Sequence, residues 1–189
     1  MNKIIAIVGM CGSGKSIASD ILEQKGYSKV YFGGVTMDKL KEKNLEITPE
    51  NEKIMREKLR EDLGMGAFAK ILLPQIEELH KTNNVVLDGL YSWDEYKILK
   101  EEFKDLVVIA IVCDKKLRYD RISKRKERAF NKEEIIRRDV TEIENSAKGG
   151  PIAYADYYLL NNGSMEKYEE DLAKIKCLIE GVDKNEKDD

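Results

Sequence analysis

Between an apolar run, Lys3–Val8, and a helix-like pattern of Ile17, Ala18, Ile21 and Leu22 stands GMCGSGKS, residues 9–16. The spacing is Gly9, four residues, then Gly14-Lys15-Ser16, the pattern G-x-x-x-x-G-K-[ST]. Glycines permit backbone angles that a side chain forbids, so several N–H groups can converge on phosphate oxygens. The positive end of the following helix adds to that field. In such a loop Lys15 reaches the β/γ-phosphates and the Ser16 hydroxyl ligates Mg²⁺. The expected nucleotide contacts are Gly9, Cys11, Gly12, Ser13, Gly14, Lys15, Ser16 and Ile17, and the expected anion is a nucleoside triphosphate.

A phosphate loop is common to kinases, switches and motors, so other residues must separate them. In NNVVLDGLYSW, Asp88 ends an apolar strand, where a carboxylate can order the water shell of Mg²⁺. In LRYDRISKRKER, Arg121 and Arg125 stand one turn apart with Arg128 three residues on, a stripe expected on one helical face. Such a stripe can close over a triphosphate and neutralise charge in the transition state. Arg137 and Arg138 fall in the next helical stretch, and Arg138 is the one expected to reach in. In LLNNGSMEKY, an Asn162-Gly163 turn leads to Ser164 as a helix N-cap and can surround an adenine ring with backbone groups. Arg56 and Arg60, four apart, share a helix face and can grip one anionic acceptor; the alternative is an exposed pair joined to nearby glutamates.

Acid–base chemistry has little to draw on. His80 is the one histidine and reads as a solvated helix-end residue. Proton transfer must rest on carboxylates, or the reaction must need little of it, as phosphoryl transfer does.

These residues need a scaffold. Apolar β-like runs occur at Lys3–Val8, Lys29–Phe32, Val85–Leu87, Leu106–Cys113 and Asp156–Leu160, with helical patterns between them. That alternation predicts a parallel sheet covered by helices on both faces, its strands buried on two sides. Thr48-Pro49 opens a helix to about Leu63; Gly64 and Gly66 break it, and a second runs to about Lys81. Two consecutive helices there make a side-lobe rather than another α/β unit. Ser92-x-x-Glu95 is a capping box opening a helix towards Lys100.

The 189 residues suit one domain, expected over 1–180 with a frayed tail at 181–189. Hydrophobic residues at 42% and charged residues at 37% describe a globular chain, and a net charge of −3 gives no reason to expect nucleic acid or a membrane surface. Met1–Val8 runs straight into the phosphate loop and reads as a strand rather than a signal peptide. Cys11, Cys113 and Cys177 read as reduced cytoplasmic thiols, neither disulfides nor a zinc site.

Together these residues resemble the P-loop small-molecule kinases, on the branch of adenylate kinase and dephospho-CoA kinase. The likeness is nearest to a group of nucleotide-kinase-like proteins described mainly from archaea and some bacteria. It spans Lys3 to about Ile179, through GMCGSGKS, the FGGVT turn, TPENEKIMREKLRED, DGLYSW, the arginine-bearing lid and ADYYLLNNGS. The resemblance implies a three-layer P-loop NTPase fold with five parallel strands ordered 2-3-1-4-5. It implies an acceptor lobe at about 35–81 and a lid at about 115–145. It also implies ATP, Mg²⁺ and γ-phosphoryl transfer to a small-molecule acceptor by a monomer or homodimer.

Two positions depart from that family. After strand two the family carries an Asp and then, three residues later, a phosphate-holding Arg; here they read Gly34 and Met37. The DG stretch continues there to a second Arg, where this chain has Tyr91 and Ser92. Acceptor contacts are therefore expected from Gly34, Arg56, Arg60 and Tyr91, with a (deoxy)nucleoside monophosphate favoured. A hydroxyl acceptor, as in dephospho-CoA kinase, would need a base, either Asp38 or Asp88. A GTPase-like switch would need Asn-Lys-x-Asp, and the nearest string, Asn131-Lys132-Glu133-Glu134, lacks the Asp. An ATP-binding regulatory protein without catalysis is the third class.

Overall fold

Successive residues of a strand point to opposite faces, so a run apolar at every position must be covered on both sides. The computed structural model describes residues 2–125 and 130–181 and shows that outcome. Strands β1 (Ile4–Val8), β2 (Ser28–Tyr31), β3 (Val85–Asp88), β4 (Val107–Val112) and β5 (Tyr157–Leu160) form one sheet in the order β2-β3-β1-β4-β5. Every neighbouring pair is parallel. The architecture is the three-layer α/β P-loop fold, and each strand lies within one or two residues of the apolar run that announced it.

On one face, Ile5, Ile7, Val86, Ile109 and Ile111 pack with Ala18 and Leu22 of α1 (Lys15–Gln24) and Leu172 and Ile175 of α9 (Met165–Glu180). On the other, Ile4, Ala6, Val8, Leu87 and Val108 meet Phe68, Leu72 and Ile76 of α4 (Ala67–Thr82) and Leu99 of α5 (Trp93–Glu102). The register pairs Asp88 with Ile7 on one side and with Tyr31 on the other. The carboxyl ends of β1, β2 and β3 are thereby level, beside the phosphate loop.

The segment between β2 and β3 holds three helices, not two. FGGVT is not an open turn: α2 (Gly34–Glu42) begins inside it, and Val35, Thr36 and Leu40 are buried. The next helix, α3 (Pro49–Leu63), starts as expected, with the Thr48 hydroxyl accepting the Asn51 N–H and Pro49 in the first turn. Gly64, at φ 81°, stops it. His80 lies in the last turn of α4, but its ring packs edge-on to Phe103 with centroids 5.5 Å apart, and Nδ1 is buried; it is not a solvated side chain.

After β4 come α6 (Lys115–Ser123), α7 (Lys132–Glu144) and the single turn α8 (Gly149–Ala153). Asn131 and Glu134, the string nearest a guanine-reading motif, form a capping box that opens α7. Arg128 and the tail beyond Gly181 lie outside the described residues. No described helix is long and apolar enough to cross a membrane.

The second capping box carries more than its helix. Ser92 Oγ accepts the Glu95 N–H at 3.0 Å and donates to the Met65 carbonyl at 3.0 Å, tying the start of α5 to the turn between α3 and α4. Ser92→Ala removes a cap and leaves that carbonyl unserved. It should lower stability by about 1–3 kcal/mol, measured by urea unfolding, whereas a loss near zero would mean the turn is held elsewhere.

Candidate functional site

A loop that points its N–H groups inward must satisfy its carbonyls elsewhere. Here three of the braces come from distant elements. Asn161, at the end of β5, donates Nδ2–H to the Ser13 carbonyl at 2.8 Å, and the Tyr168 hydroxyl of α9 donates to the Gly14 carbonyl at 2.9 Å. Arg118 of α6 donates to the Cys11 carbonyl at 2.9 Å. Gly14, at φ 102°, is the N-cap of α1, and a Cβ there would collide with the Asn161 amide. The first turn of α1 has no side-chain cap and no acidic residue, so its N–H groups remain for a ligand.

These features fit a polyphosphate. Gly12, Gly14, Lys15, Ser16 and Ile17 line a cleft of about 320 Å³ with Arg121, Arg125, Asn161, Gly163 and Met165. In the same loop the Ser13 hydroxyl oxygen is buried beside Gly9 without a hydrogen-bond partner. Gly9, at φ 147°, passes so close to the Ile111 carbonyl and Ser13 Oγ that no side chain fits. Oxygen donors suited to Mg²⁺ are also present. Ser16 is exposed at the start of α1, and Asp88 is 3% exposed at the end of β3 with Lys29 Nζ 3.8 Å away. Among the described residues no three His, Cys, Asp or Glu side chains gather to cage an ion. The donor set is thus the sparse, oxygen-only kind that Mg²⁺ accepts.

The arginines divide between two jobs. Arg121 reaches Cys113 Sγ at 3.2 Å and Asn161 Oδ1 at 3.4 Å, facing the cleft. Arg125 also lines the cleft, 3.9 Å from Cys11 Sγ, but it lies past the end of α6 at Ser123. The expected stripe along one helical face is therefore broken, although both residues line the cleft. Arg118, in contrast, is buried in a two-bond pair with Asp139 of α7 at 3.0 and 2.7 Å. It locks α6 to α7 and both to Cys11. Arg138 does not enter the cleft; its Nε contacts Glu142 Oε1 at 3.3 Å.

Asn162 and Gly163 also part company. Gly163 lines the cleft, whereas the Asn162 side chain accepts the Asp114 N–H at 2.9 Å. Asn161 takes the place beside the loop. On the opposite side of Asp88, Gly34 opens α2 against the Tyr31 ring. Arg56 pairs with Glu52 at 3.4 Å on a partly exposed face of α3. Arg60, one turn on, lies over the Phe68 ring at 5.6 Å with its Nε buried and unbonded. Burial lowers the Arg60 pKa, and the field of Glu95 opposes that shift. Glu95 is itself fully buried; burial pushes its carboxyl up to about 7 against the N–H groups of Tyr91 and Ser92 that it accepts. Asp38 is exposed and paired with Lys41, 3.6 Å away, so it does not face Asp88.

Arg118, Glu142, Lys148, Asn161 and Tyr168 escape sequence reasoning. None belongs to a spaced motif. Asn161 and Tyr168 could have been suspected only from their nearness to the NG turn. Glu142 accepts the Cys11 N–H at 3.2 Å and a bond from Lys148 Nζ at 2.9 Å, though 131 residues separate it from Cys11.

Known proteins bear on the same loop. A profile of the AAA domain family matches residues 5–144. A UPF0200 protein of Thermococcus gammatolerans is 33% identical over 184 residues, covering 95% of each chain. Among solved structures, TT1252 from Thermus thermophilus superposes with a TM-score of 0.63 at 19% identity, covering 96% of this chain and 98% of that one. Shikimate kinase from Bacteroides thetaiotaomicron superposes with a TM-score of 0.60 at 13% identity, covering 94% and 98%. At these identities the solved structures speak for the fold alone, and that fold is the P-loop kinase one.

Lys15 provides a test that needs no substrate identified beyond nucleotide. Its Nζ donates to the Met10 carbonyl at 3.1 Å, and burial first, then neighbouring Lys148, lowers its pKa to about 7. At pH 8 the ammonium is mostly neutral in the protein alone, and phosphate raises its pKa again. Binding of ATP at pH 8 should therefore take up close to one proton, falling towards none at pH 6, as calorimetry in buffers of different ionisation enthalpy reads it. Lys15→Met should abolish the uptake; none in the wild type at pH 8 would contradict this environment.

Proposed function

We propose for this chain, which belongs to the UPF0200 family and carries its AAA domain on a P-loop kinase-like fold, an ATP-dependent phosphotransferase activity. The γ-phosphoryl group passes to a nucleotide-like small molecule, a (deoxy)nucleoside monophosphate. The observation that carries this reading is the convergence of Lys15, Arg121 and Arg125 on one cleft above the phosphate loop. Phosphoryl transfer is catalysed mainly by positioning and by neutralising charge on the equatorial oxygens, and three cations around one cleft supply that.

In this reading Lys15 and the loop N–H groups hold the phosphates, while Arg121 and Arg125 neutralise the transferring group. Ser16 and Asp88 would hold Mg²⁺, which supplies charge compensation between the phosphates when bound. The stretch at about 35–81 acts as the acceptor lobe, and that at about 115–145 as the lid. Arg60 is the better acceptor ligand of the arginine pair, since its Nε is buried and unbonded while Arg56 is engaged by Glu52. Tyr91 and Gly34, at the start of α2, are the other proposed acceptor contacts. A monophosphate oxygen needs no general base, which suits a site with no histidine near the loop. A hydroxyl acceptor is the second reading, favoured by Asp88, whose carboxylate is buried at the end of β3 beside Lys29.

The decisive experiment is ADP release above the acceptor-free rate, measured over nucleoside monophosphates, their deoxy forms, nucleosides and dephospho-CoA. Stimulation by a monophosphate is expected; stimulation by dephospho-CoA or a nucleoside alone moves the assignment to the hydroxyl reading. No stimulation by any of them overturns phosphotransfer and leaves a regulatory ATP-binding protein.

With the acceptor identified, Arg60→Ala should lower its kcat/KM by about 1.5–3 kcal/mol, the worth of a hydrogen bond to a charged group. Arg56→Ala should cost less, and ATP affinity should be unchanged in both. An Arg60→Ala enzyme as active as the wild type would remove the arginine from the acceptor site.

A further inference from the structure

Lys148 is a buried lysine in a place where a second lysine is hard to account for. It is 1% exposed, just before α8, and shares its surroundings with Lys15, whose charge it opposes. Two facing ammoniums repel, and burying either is costly without a counter-charge. Lys148 Nζ is held by Glu142 Oε2 at 2.9 Å and lies 4.8 Å over the Tyr91 ring. The residue that delivers it, Ala147, adopts φ 48°, a left-handed backbone that a non-glycine residue rarely takes. Strain of this kind clusters at functional sites.

The surroundings of Glu142 show what this arrangement is suited to bind. Its Oε2 accepts the phosphate-loop N–H of Cys11 at 3.2 Å together with Lys148, and its Oε1 accepts Arg138 Nε at 3.3 Å. Lys15 adds its field, and these cations hold the Glu142 carboxyl below the usual carboxylate range although burial pushes it up. A loop N–H and a buried ammonium on one carboxylate oxygen are donors of the kind a terminal phosphate takes.

We propose that Lys148 is a second phosphate-binding cation, which exchanges its bond to Glu142 for an oxygen of the terminal phosphate of a nucleoside triphosphate. Glu142 holds Lys148 and the Cys11 N–H in place until then and competes with that phosphate for both. Because the exchange is with the terminal phosphate, the pair sets the preference for triphosphate over diphosphate. This inference rests on the nucleotide site of the proposed function, not on the acceptor, and its test uses no acceptor.

The test is calorimetric titration with Mg²⁺ and either ADP or the β,γ-imido analogue of ATP. Variants are Lys148→Met, Lys148→Arg and Glu142→Gln, each checked for cooperative unfolding. Lys148→Met should weaken the analogue roughly 10- to 100-fold while ADP changes less than about threefold. Lys148→Arg should recover part of the loss, and Glu142→Gln should raise the preference for the analogue over ADP. Equal effects of Lys148→Met on both nucleotides, or none, overturn the proposal. Should Lys148→Met fail to fold, Glu142→Gln decides, and an unchanged or reduced preference overturns it. A wild-type protein that binds neither nucleotide defeats the nucleotide site as well. Tight binding with no acceptor ever phosphorylated defeats only the phosphotransferase reading.

Discussion

A backbone that turns its N–H groups towards a ligand exposes carbonyls on its other side, and buried carbonyls must find donors. The loop between β1 and α1 meets that demand from half the chain. Met10 receives Ser13 N–H and Lys15 Nζ, Cys11 receives Arg118, Ser13 receives Asn161, and Gly14 receives the Tyr168 hydroxyl. The loop is therefore shaped by β5, α6 and α9, which lie far along the sequence. Its glycines matter for a matching reason: at Gly14 a Cβ would occupy the space of the Asn161 amide.

The same economy extends to charge. Lys148 is buried against Glu142 within reach of the Lys15 charge, and Arg118 neutralises Asp139 through two hydrogen bonds. The Arg118–Asp139 pair also decides how the region after β4 can move. Because Arg118 holds both α7 and the Cys11 carbonyl, α6 and α7 are tied to each other and to the loop. A movement of α7 would therefore carry α6 with it or break the Arg118 bonds.

On the other side of Asp88, one carboxylate performs two tasks. Glu95 completes the capping box of α5 by accepting the Ser92 N–H, and its field acts on Arg60 of α3. Sequence shows the first task, since a cap is a contact between residues three apart. It cannot show the second, because Arg60 is brought there by the packing of α3 on α4.

That division runs through the whole chain. The sequence by itself determined the five strands, the phosphate loop, Thr48 and Ser92 as caps and the stop at Gly64. Each of these follows from periodicity or from hydrogen bonds that close within a turn. It missed α2, because two glycines read as a turn while the burial of Val35 and Leu40 against the core holds a helix. It did not single out Asn161 as the brace of the loop, because two adjacent asparagines differ only in which face of β5's end they occupy. Only the tertiary structure decided which arginines face the cleft and which are latches, and only it brought Lys148 and Glu142 to the loop. Cys11 and Glu142 stand 131 residues apart, Ser13 and Asn161 148. A side chain's partner at such separations is set by how the sheet and helices pack, and no local pattern records it.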